Sequence, residues 1–377
     1  MNEKCLFDMS DVDTSRTFYS INLYKYRLLD ALSDDEASKI CLLLNENNVE
    51  ELTKRFPRFN YMIYKKSSSL LNHLPIIGRI YAQKRFAKFV NKSGCDCFFS
   101  ASNIDYKITS KFGIYKVVVI HDIKAIWEGK GFWGKIIQKQ RVSNYYKRLV
   151  NNSSMAIAIS NFTKQNILDN IVGVKEDKIC VVYNSVVLAP SSEIVSNLPS
   201  CGYLLYVNSL DEYKNLGTLV KAYNLIKEQT RQDLVVVGNP NDYWYSKLLP
   251  FIEKNKFTDR VHLYCNISNE KLRYLYEKAT LFVSPSLNEG FGYTPLEAAI
   301  CGCPVICSKC EAIPDTTKGM LSYYDNPLDE FELADKIYSL INNRPSEKEL
   351  LNISLSFRNN YSAKKQKTEI LHVLNMV

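Results

Sequence analysis

Short apolar runs alternate with helix-like segments along almost the whole chain, and this alternation constrains the fold more than any other feature of the sequence. Buried strands that alternate with helices form parallel sheets with crossover helices. The runs that read as strands lie at residues 95–102, 115–122, 154–160 and 179–186 in the first half, and at 203–209, 233–238, 260–265, 280–286 and 304–309 in the second. The sequence therefore predicts an α/β fold of two doubly wound domains that face a cleft.

A polar stretch interrupts this pattern near the middle of the chain. The segment 189–202, APSSEIVSNLPSCG, is rich in Pro and Ser, and hydrophobic periodicity lapses there. The chain has 377 residues, enough for two domains of ordinary size. We predict an N-terminal domain over 1–187, a linker over 188–201 and a C-terminal domain over 202–357. The last segment, 358–377, is predicted to be a helix that packs back on the N-terminal domain.

Basic residues concentrate in the first half of the chain. Residues 1–190 hold 28 Lys and Arg against 18 Asp and Glu, and residues 54–148 hold 20 against 4. Nucleic acid, an anionic membrane surface and a merely solvated helix face all fit such a stretch. No nucleic-acid-binding motif accompanies it, which favours the membrane and predicts no nucleic-acid partner. The residues predicted to meet the bilayer are the basic Lys84, Arg85 and Lys88 and the apolar Leu70, Leu71, Leu74, Ile76, Ile77 and Phe86.

The cysteines and the absence of long apolar runs bear on the compartment. Eleven cysteines without paired spacing favour reduced thiols over a disulfide framework. The cluster Cys301, Cys303, Cys307 and Cys310 could be a metal site, but its place on a helix end and an apolar strand favours small buried side chains. No apolar run approaches 18 residues, and the start of the chain does not read as a signal peptide. We expect a cytoplasmic protein.

Polar residues follow several of the predicted strands. Ligands of open α/β sheets bind beyond the carboxyl ends of the strands. Ser100, His121, Asp122 and Ser160 stand at such ends, so we expect them to line one crevice. A histidine there could equally be a core residue with satisfied hydrogen bonds, and Asp122 could either orient His121 or cap the segment that follows.

A glycine-containing loop carries the clearest chemical signal. In SPSLNEGFGYTPLEAAICGCPVICSKCEAIP (284–314), a strand ends near Pro285, a loop follows, and Pro295 suits the first turn of the next helix. Backbone amides between Gly292 and Leu296 would then face an anion such as a diphosphate. Glu289 on the loop and Glu297 in the helix would flank that ligand.

The spacing of these two glutamates resembles the E-x7-E element of the retaining glycosyltransferases of family 4. That family has the GT-B fold, in which two Rossmann-like domains face each other across a cleft. Other segments are similar to further parts of the family pattern, in the same order: VVVIHDI (117–123), AIAISNFTKQNI (156–167), 204–226 and 261–286. The chain departs from the family where Asn208 and Cys265 replace frequent glycines and where 11–18 lacks a glycine-rich loop.

The resemblance implies a role for each matching residue. Glu289 would contact the donor sugar, and His121, supported by Asp122, would reach towards that sugar. Lys214 would bind the donor diphosphate, the main chain near Ile267 the nucleobase, and Glu297 the ribose. The full implied donor-binding set is Ser209, Lys214, Ile267, Gly290, Phe291, Gly292, Tyr293, Thr294 and Glu297.

The implied activity is retaining hexosyl transfer from a nucleoside diphosphate sugar, with no metal and no cofactor. The His121-Asp122 pair resembles that of transferases that build O-antigen or capsule, which favours GDP-mannose; a UDP- or dTDP-sugar is the alternative. The acceptor would be lipid-linked or an oligosaccharide, and the enzyme would sit peripherally on the cytoplasmic face of the inner membrane. A sugar-nucleotide epimerase or hydrolase and a non-catalytic nucleotide-sugar sensor share the fold and stay open.

Overall fold

The computed structural model describes residues 4–15, 20–65, 75–104, 113–127 and 131–376. The chain divides into two compact units. The N-terminal unit comprises Met1–Ser185 together with Ala363–Val377, and the C-terminal unit comprises Val186–Ser362. The boundary expected after residue 187 thus differs from the observed division by two residues.

The N-terminal unit is built on a seven-stranded parallel sheet of order β3-β2-β1-β4-β5-β6-β7. Its central strands are apolar and buried on both faces, as a sheet covered by helices on both sides requires. The strands are β1 (Cys5–Asp8), β2 (Ile40–Asn45), β3 (Asn60–Tyr64), β4 (Cys97–Ser100), β5 (Tyr115–Ile120), β6 (Met155–Ala158) and β7 (Ile179–Val181). The last run was predicted to reach residue 186, but the strand ends at Val181.

The helices of this unit cover the sheet. They are α1 (Ser20–Asp30), α2 (Asp34–Ser38), α3 (Val49–Arg55), α4 (Pro75–Asn91), α5 (Gly131–Asn151), α6 (Asn161–Asn170) and α14 (Ala363–Val373). In α5 the buried side chains are Val142, Tyr146, Leu149 and Val150, all in the second half of the helix. They pack against β5 and β6 in one apolar cluster.

The C-terminal unit has a six-stranded parallel sheet of order β10-β9-β8-β11-β12-β13. Its strands are β8 (Tyr203–Val207), β9 (Asp233–Val237), β10 (Val261–Tyr264), β11 (Leu281–Ser284), β12 (Val305–Ser308) and β13 (Ser322–Tyr324). Its helices are α7 (Leu216–Ile226), α8 (Leu249–Lys254), α9 (Asn269–Lys278), α10 (Tyr293–Ile300), α11 (Ile313–Thr316), α12 (Glu330–Asn342) and α13 (Glu347–Asn360). The backbone amide of Val186, the first residue of the unit, donates to the carbonyl of Tyr361 over 2.8 Å.

The end of the chain differs from its prediction. The segment 358–377 is not one helix, because α13 continues to Asn360 and a new helix, α14, begins at Ala363. The side chains of Ile370 and Leu371 are buried. The ammonium group of Lys367 pairs with the Glu36 carboxylate of α2 over 2.7 Å, so α14 is part of the N-terminal unit.

One of the residues around α4 that were predicted to meet the membrane, Phe86, was predicted wrongly. Phe86 is buried and contacts the rings of Tyr64 and Phe98, so it cannot insert into a bilayer. Lys84 and Lys88 are exposed, and Arg85 is half-buried. The other apolar residues of that prediction, Leu70, Leu71, Leu74 and the side chains of Ile76 and Ile77, lie outside the described residues. Within the described ranges, no helix is both long and apolar enough to cross a bilayer.

The burial of the cysteine cluster agrees with the prediction that these are small packed side chains. Cys303, Cys307 and Cys310 are buried, and Cys301 is half-buried. Burial raises the pKa of the Cys310 thiol to about 11, as expected for a thiol in an apolar environment. In the part of the chain that the structure describes, no three His, Cys, Asp or Glu side chains are grouped as a metal site would need.

Candidate active site

The topology of the C-terminal sheet places two loops side by side. Strand β8 pairs with β9 on one side and with β11 on the other, so the strand order reverses between β8 and β11. Open α/β sheets bind ligands at such a switch point, beyond the carboxyl ends of the strands. The segment after β8 carries Asn208, Ser209 and Lys214, and the segment after β11 carries Glu289 and the glycine loop.

The carboxylate of Glu289 is the centre of this site. Its Oε1 atom accepts hydrogen bonds from Lys214 Nζ over 2.8 Å, from Ser286 Oγ over 2.9 Å and from Asn208 Nδ2 over 3.3 Å. The side chains of Lys214 and Glu289 are each only 12% exposed, so this ion pair is largely removed from water. The carboxylate is therefore held in one place, and the lysine charge lies beside it beyond the carboxyl ends of the strands.

Asn215 fixes the position of Lys214, although the sequence alone did not identify it. The residue lies directly after the 3₁₀ turn Glu212–Lys214 and has a left-handed backbone, with φ of 59°. Its buried side-chain amide donates to the carbonyls of Pro285 and Pro327 over 2.9 and 2.6 Å, and its oxygen accepts from Thr218 Oγ1 over 2.8 Å. The loop after β8 is thereby tied to the loop after β11. An asparagine before a helix is the signal that could have drawn attention to it.

Gly292 sets the start of helix α10. It has φ of +82°, and a Cβ atom there would lie 2.3 Å from Cδ1 of Ile313. The helix begins at the next residue, Tyr293, and Pro295 occupies its first turn, as predicted. Because first-turn amides have no acceptor within their own helix, the N-terminus of α10 favours an anion beyond it.

Glu297 lies one turn into α10 and is oriented by a buried tyrosine. The Tyr276 hydroxyl of α9 donates to Glu297 Oε2 over 3.1 Å. Burial, together with the neighbouring carboxylate, raises the pKa of Tyr276, so the phenol stays a donor. Glu289 and Glu297 accordingly lie on a loop and on the helix that follows it, the arrangement that their spacing predicts.

The remaining predicted donor-binding residues lie on the same loops or close to them in the fold. Ser209 is exposed, and its amide donates to Asn208 Oδ1 over 3.0 Å. Phe291 is buried against the ring of Tyr293, with centroids 4.9 Å apart, so it can offer a ligand only its main chain. Ile267 is half-buried in the connection between β10 and α9. Gly290 and Thr294 are also half-buried, on either side of Gly292.

The N-terminal unit has its own switch point, between β1 and β4, and charged residues collect there. Asp8 ends β1 and is fully buried; it accepts from Ser10 Oγ over 2.6 Å and from Ser100 Oγ over 3.4 Å. Burial raises the pKa of Asp8. Asp11 pairs with the fully buried Lys25 and accepts a hydrogen bond from Ser102. Sequence reasoning missed this group, although an acidic residue that closes an apolar run, CLFD, is the pattern that could have revealed it.

His121 follows β5 of the same sheet. Its Nε2 atom lies 2.9 Å from the carbonyl oxygen of Ala101, which assigns the ring proton to Nε2 and leaves Nδ1 as an acceptor. The ring packs edge-on against Tyr24, with centroids 5.2 Å apart. Burial lowers the pKa of His121, so the imidazole is neutral near pH 7. Asp122 accepts from the amide of Lys124 over 3.0 Å and thus caps the turn that follows.

Neither of the two serines predicted to line a crevice does so. Ser160 is fully buried and caps α6, since its Oγ accepts from the amide of Thr163 over 3.0 Å. Ser100 is fully buried as well and points to Asp8. Both side chains hold the local structure together, which is the usual use of serine at a helix start and beside a buried carboxylate.

Comparison with known proteins agrees with this geometry. Residues 199–354 match the family model for glycosyl transferases group 1. The O-antigen chain mannosyltransferase RfbU from Salmonella typhimurium is 28% identical over 250 residues, which cover 66% of this chain and 65% of that protein. The chain spans about half to two thirds of the length of the first curated relatives that it matches.

Solved structures match along nearly the whole chain. The lipopolysaccharide outer core galactosyltransferase WaaB, in its apo form, has a TM-score of 0.71 at 18% identity and covers 99% of this chain and 100% of its own. Anabaena HepE in complex with UDP has a TM-score of 0.73 at 14% identity, with 99% and 100% covered. At these identities the likeness shows the fold, and the expected GT-B fold of two Rossmann-like domains is confirmed.

Proposed function

We propose that this chain, whose C-terminal unit carries a glycosyl transferases group 1 domain, is a retaining transferase that moves a hexose from a nucleoside diphosphate sugar. The observation that carries the proposal is the convergence of Lys214, Ser286 and Asn208 on Glu289 at the switch point, beside the N-terminus of α10. A cation and helix amides suit a diphosphate, and a fixed carboxylate suits a sugar.

The donor diphosphate would bind between Lys214 and the start of α10. As the bond from the anomeric carbon to the phosphate breaks, negative charge grows on the leaving diphosphate and positive charge on the sugar ring. Lys214 and the helix amides would stabilise the negative charge on the diphosphate, and Glu289 would stabilise the positive charge on the sugar ring. Because these groups can neutralise the leaving charge, we propose a reaction that needs neither a metal ion nor a cofactor.

We propose a retaining stereochemical course for the same arrangement. We propose that the departing phosphate oxygen takes the proton of the acceptor hydroxyl, so that the new bond forms on the face that the old one left. Glu289 would then orient the sugar without a covalent intermediate. The side-chain hydrogen bond between Tyr276 and Glu297 would hold the second carboxylate ready for the ribose hydroxyls. We propose that Nδ1 of the neutral His121 ring accepts a hydrogen bond from a hydroxyl of the donor sugar.

Mannose, delivered as GDP-mannose, is the proposed sugar because the curated relative RfbU is named an O-antigen chain mannosyltransferase. We accordingly propose a lipid-linked or oligosaccharide acceptor in surface polysaccharide synthesis, and a place on the cytoplasmic face of the inner membrane. A UDP-sugar is the second candidate, because a solved structure with the same fold, HepE, holds UDP.

A donor screen by thermal shift and titration calorimetry tests the proposal. GDP-mannose at 100 times its dissociation constant should stabilise the protein by about 2.7 kcal/mol, and Lys214→Met should abolish most of that effect. UDP binding at least tenfold tighter than GDP would contradict mannose. Donor breakdown that needs no acceptor would identify a hydrolase, and binding without turnover would identify a sensor. Loss of turnover after chelation, restored by a divalent cation, would overturn metal independence, and inversion at the anomeric carbon by NMR would overturn retention.

A further inference from the structure

The first turns of α5 present large apolar side chains to solvent. Phe132 and Trp133 are each 73% exposed, Ile137 is 65% exposed, and Ile136 is about half exposed. These positions lie on one side of the helix, and Trp127, in the 3₁₀ turn before it, is exposed as well. Scattered exposed apolar residues are ordinary, but a contiguous set that includes two tryptophans marks a surface with a partner.

The fold does not use these side chains. All the buried residues of α5 lie between Val142 and Val150, where the helix packs on the sheet. The first half of α5 is attached to the preceding turn through the Gln138 side chain, which donates to the carbonyl of Ala125 over 3.0 Å. Polar substitutions at Phe132 or Trp133 should therefore leave the N-terminal unit folded.

The charge around this surface indicates what the partner is. Helix α5 contains five basic residues and no acidic residue. Lys135 and Lys139 stand among the exposed apolar residues, and the Lys139 ammonium lies 5.3 Å from the centre of the Trp127 ring. Tryptophan and phenylalanine beside lysines are typical of helices that lie in the headgroup region of an anionic bilayer, where the rings enter the interface and the lysines meet lipid phosphates.

We propose that this α5 surface, formed by Trp127, Phe132, Trp133, Ile136 and Ile137 with Lys135 and Lys139, binds the face of an anionic phospholipid bilayer. It is distinct from the surface that the sequence predicted around α4, of whose described residues only Phe86 is found to be buried. The proposed function supplies the purpose, access to a lipid-linked acceptor, but the binding itself needs neither donor nor acceptor. The membrane proposal and the proposed transferase function can therefore be refuted independently of each other.

Vesicle co-sedimentation of the full chain tests the proposal. Binding should require phosphatidylglycerol, at about 30 mol% in phosphatidylcholine, and should fall as salt rises from about 0.05 to 0.5 M. Phe132→Ser/Trp133→Ser should reduce the partition coefficient at least tenfold, and Lys135→Glu/Lys139→Glu should remove the dependence on phosphatidylglycerol. The matched control is Leu328→Ser/Phe331→Ser, which removes comparably exposed apolar residues from an acidic part of the C-terminal unit and should change nothing.

Tryptophan quenching locates the contact within the protein. Bromine-labelled acyl chains should quench the fluorescence of Trp127 and Trp133, so Trp127→Phe/Trp133→Phe should lose most of the quenching, whereas Trp244→Phe, at a buried position, should retain it. Equal binding to neutral vesicles, or an equal loss in the control variant, would overturn the proposal. A change of oligomeric state of Phe132→Ser/Trp133→Ser without lipid would instead assign the surface to a second copy of the chain. Donor binding by this variant should stay unchanged, which separates the membrane surface from the transferase site.

Discussion

Replacing Gly292 by alanine should destabilise the C-terminal unit through two separable effects. The residue has φ of +82°, a backbone conformation that costs a side chain roughly 1–2 kcal/mol. The added Cβ would also lie 2.3 Å from Cδ1 of the buried Ile313, and overpacking of this kind costs about 1–3 kcal/mol. We therefore expect Gly292→Ala to lower the free energy of unfolding by about 2–5 kcal/mol.

Two further substitutions separate these effects. Gly302 has a similar φ of +79°, but no heavy atom lies within 4 Å of where its Cβ would be, so Gly302→Ala should cost only the conformational part. Ile313→Val removes the clashing Cδ1 atom, and the next atom, Cγ of Pro295, is 3.5 Å from the new Cβ. Ile313→Val alone should cost about 0.5–1.5 kcal/mol. Combined with Gly292→Ala, it should recover about 1–3 kcal/mol as a coupling energy.

Urea unfolding followed by tryptophan fluorescence measures these changes. The chain has three tryptophans, and Trp244, buried in the core of the C-terminal unit, reports on that unit once Trp127 and Trp133 are changed to phenylalanine. A Gly292→Ala variant no less stable than Gly302→Ala would refute the clash. Strict additivity of Gly292→Ala and Ile313→Val would refute it as well, because the cycle would then detect no contact between the two side chains.

Four other substitutions test the roles of single residues. Glu289→Gln should reduce turnover about a hundredfold, because one preorganised charge is lost, while donor affinity stays within several-fold of the wild type. Release of nucleoside diphosphate at the wild-type rate would show that Glu289 has no part in the mechanism. Glu297→Ala should weaken donor binding by roughly 1.5–3 kcal/mol and Tyr276→Phe by less, and equal dissociation constants by calorimetry would contradict the ribose role. The lowered pKa of His121 means that the unfolded state binds more protons below about pH 6.5, so stability falls as pH decreases through that region. His121→Asn should remove this part of the pH dependence, and an unchanged profile of urea midpoints against pH would contradict it.

The sequence predicted most strands from β4 onward and missed the three strands that the structure describes before residue 65. From β4 onward, nearly every strand lies inside a predicted run. The strands that were missed are β1, with four residues, β2, with the apolar run ICLLLN, the sheet-edge strand β3, whose NYMIY is exposed or half-buried throughout, and β13, with three residues. The short strands β1 and β13 and the exposed strand β3 give little periodicity to detect, whereas β2 carries an apolar run as clear as those that were predicted.

The site could be predicted as a set of loops but not as a set of contacts. Glu289, Glu297 and Gly292 lie in one segment, so their spacing alone indicated a loop and a helix start. The ion pair between Lys214 and Glu289 joins residues 75 positions apart, and it depends on β8 and β11 being neighbours in the sheet. Asp11 and Lys25 meet for a similar reason, because the turn after β1 faces α1. Tertiary pairing of this kind leaves no periodic trace in the sequence.

The placement of α14 has a consequence for the order in which the chain folds. Lys367 and Glu36 are separated by 331 positions, and closing so long a loop from a disordered chain is slow. Folding of the C-terminal unit shortens that loop, because the hydrogen bond between the Val186 amide and the Tyr361 carbonyl holds the two ends of the unit together. Once those ends meet, α14 begins two residues after Tyr361. It is then close to Ser185, the last residue of the first segment of the N-terminal unit. Docking of α14 should therefore be a late kinetic step that waits for the C-terminal unit.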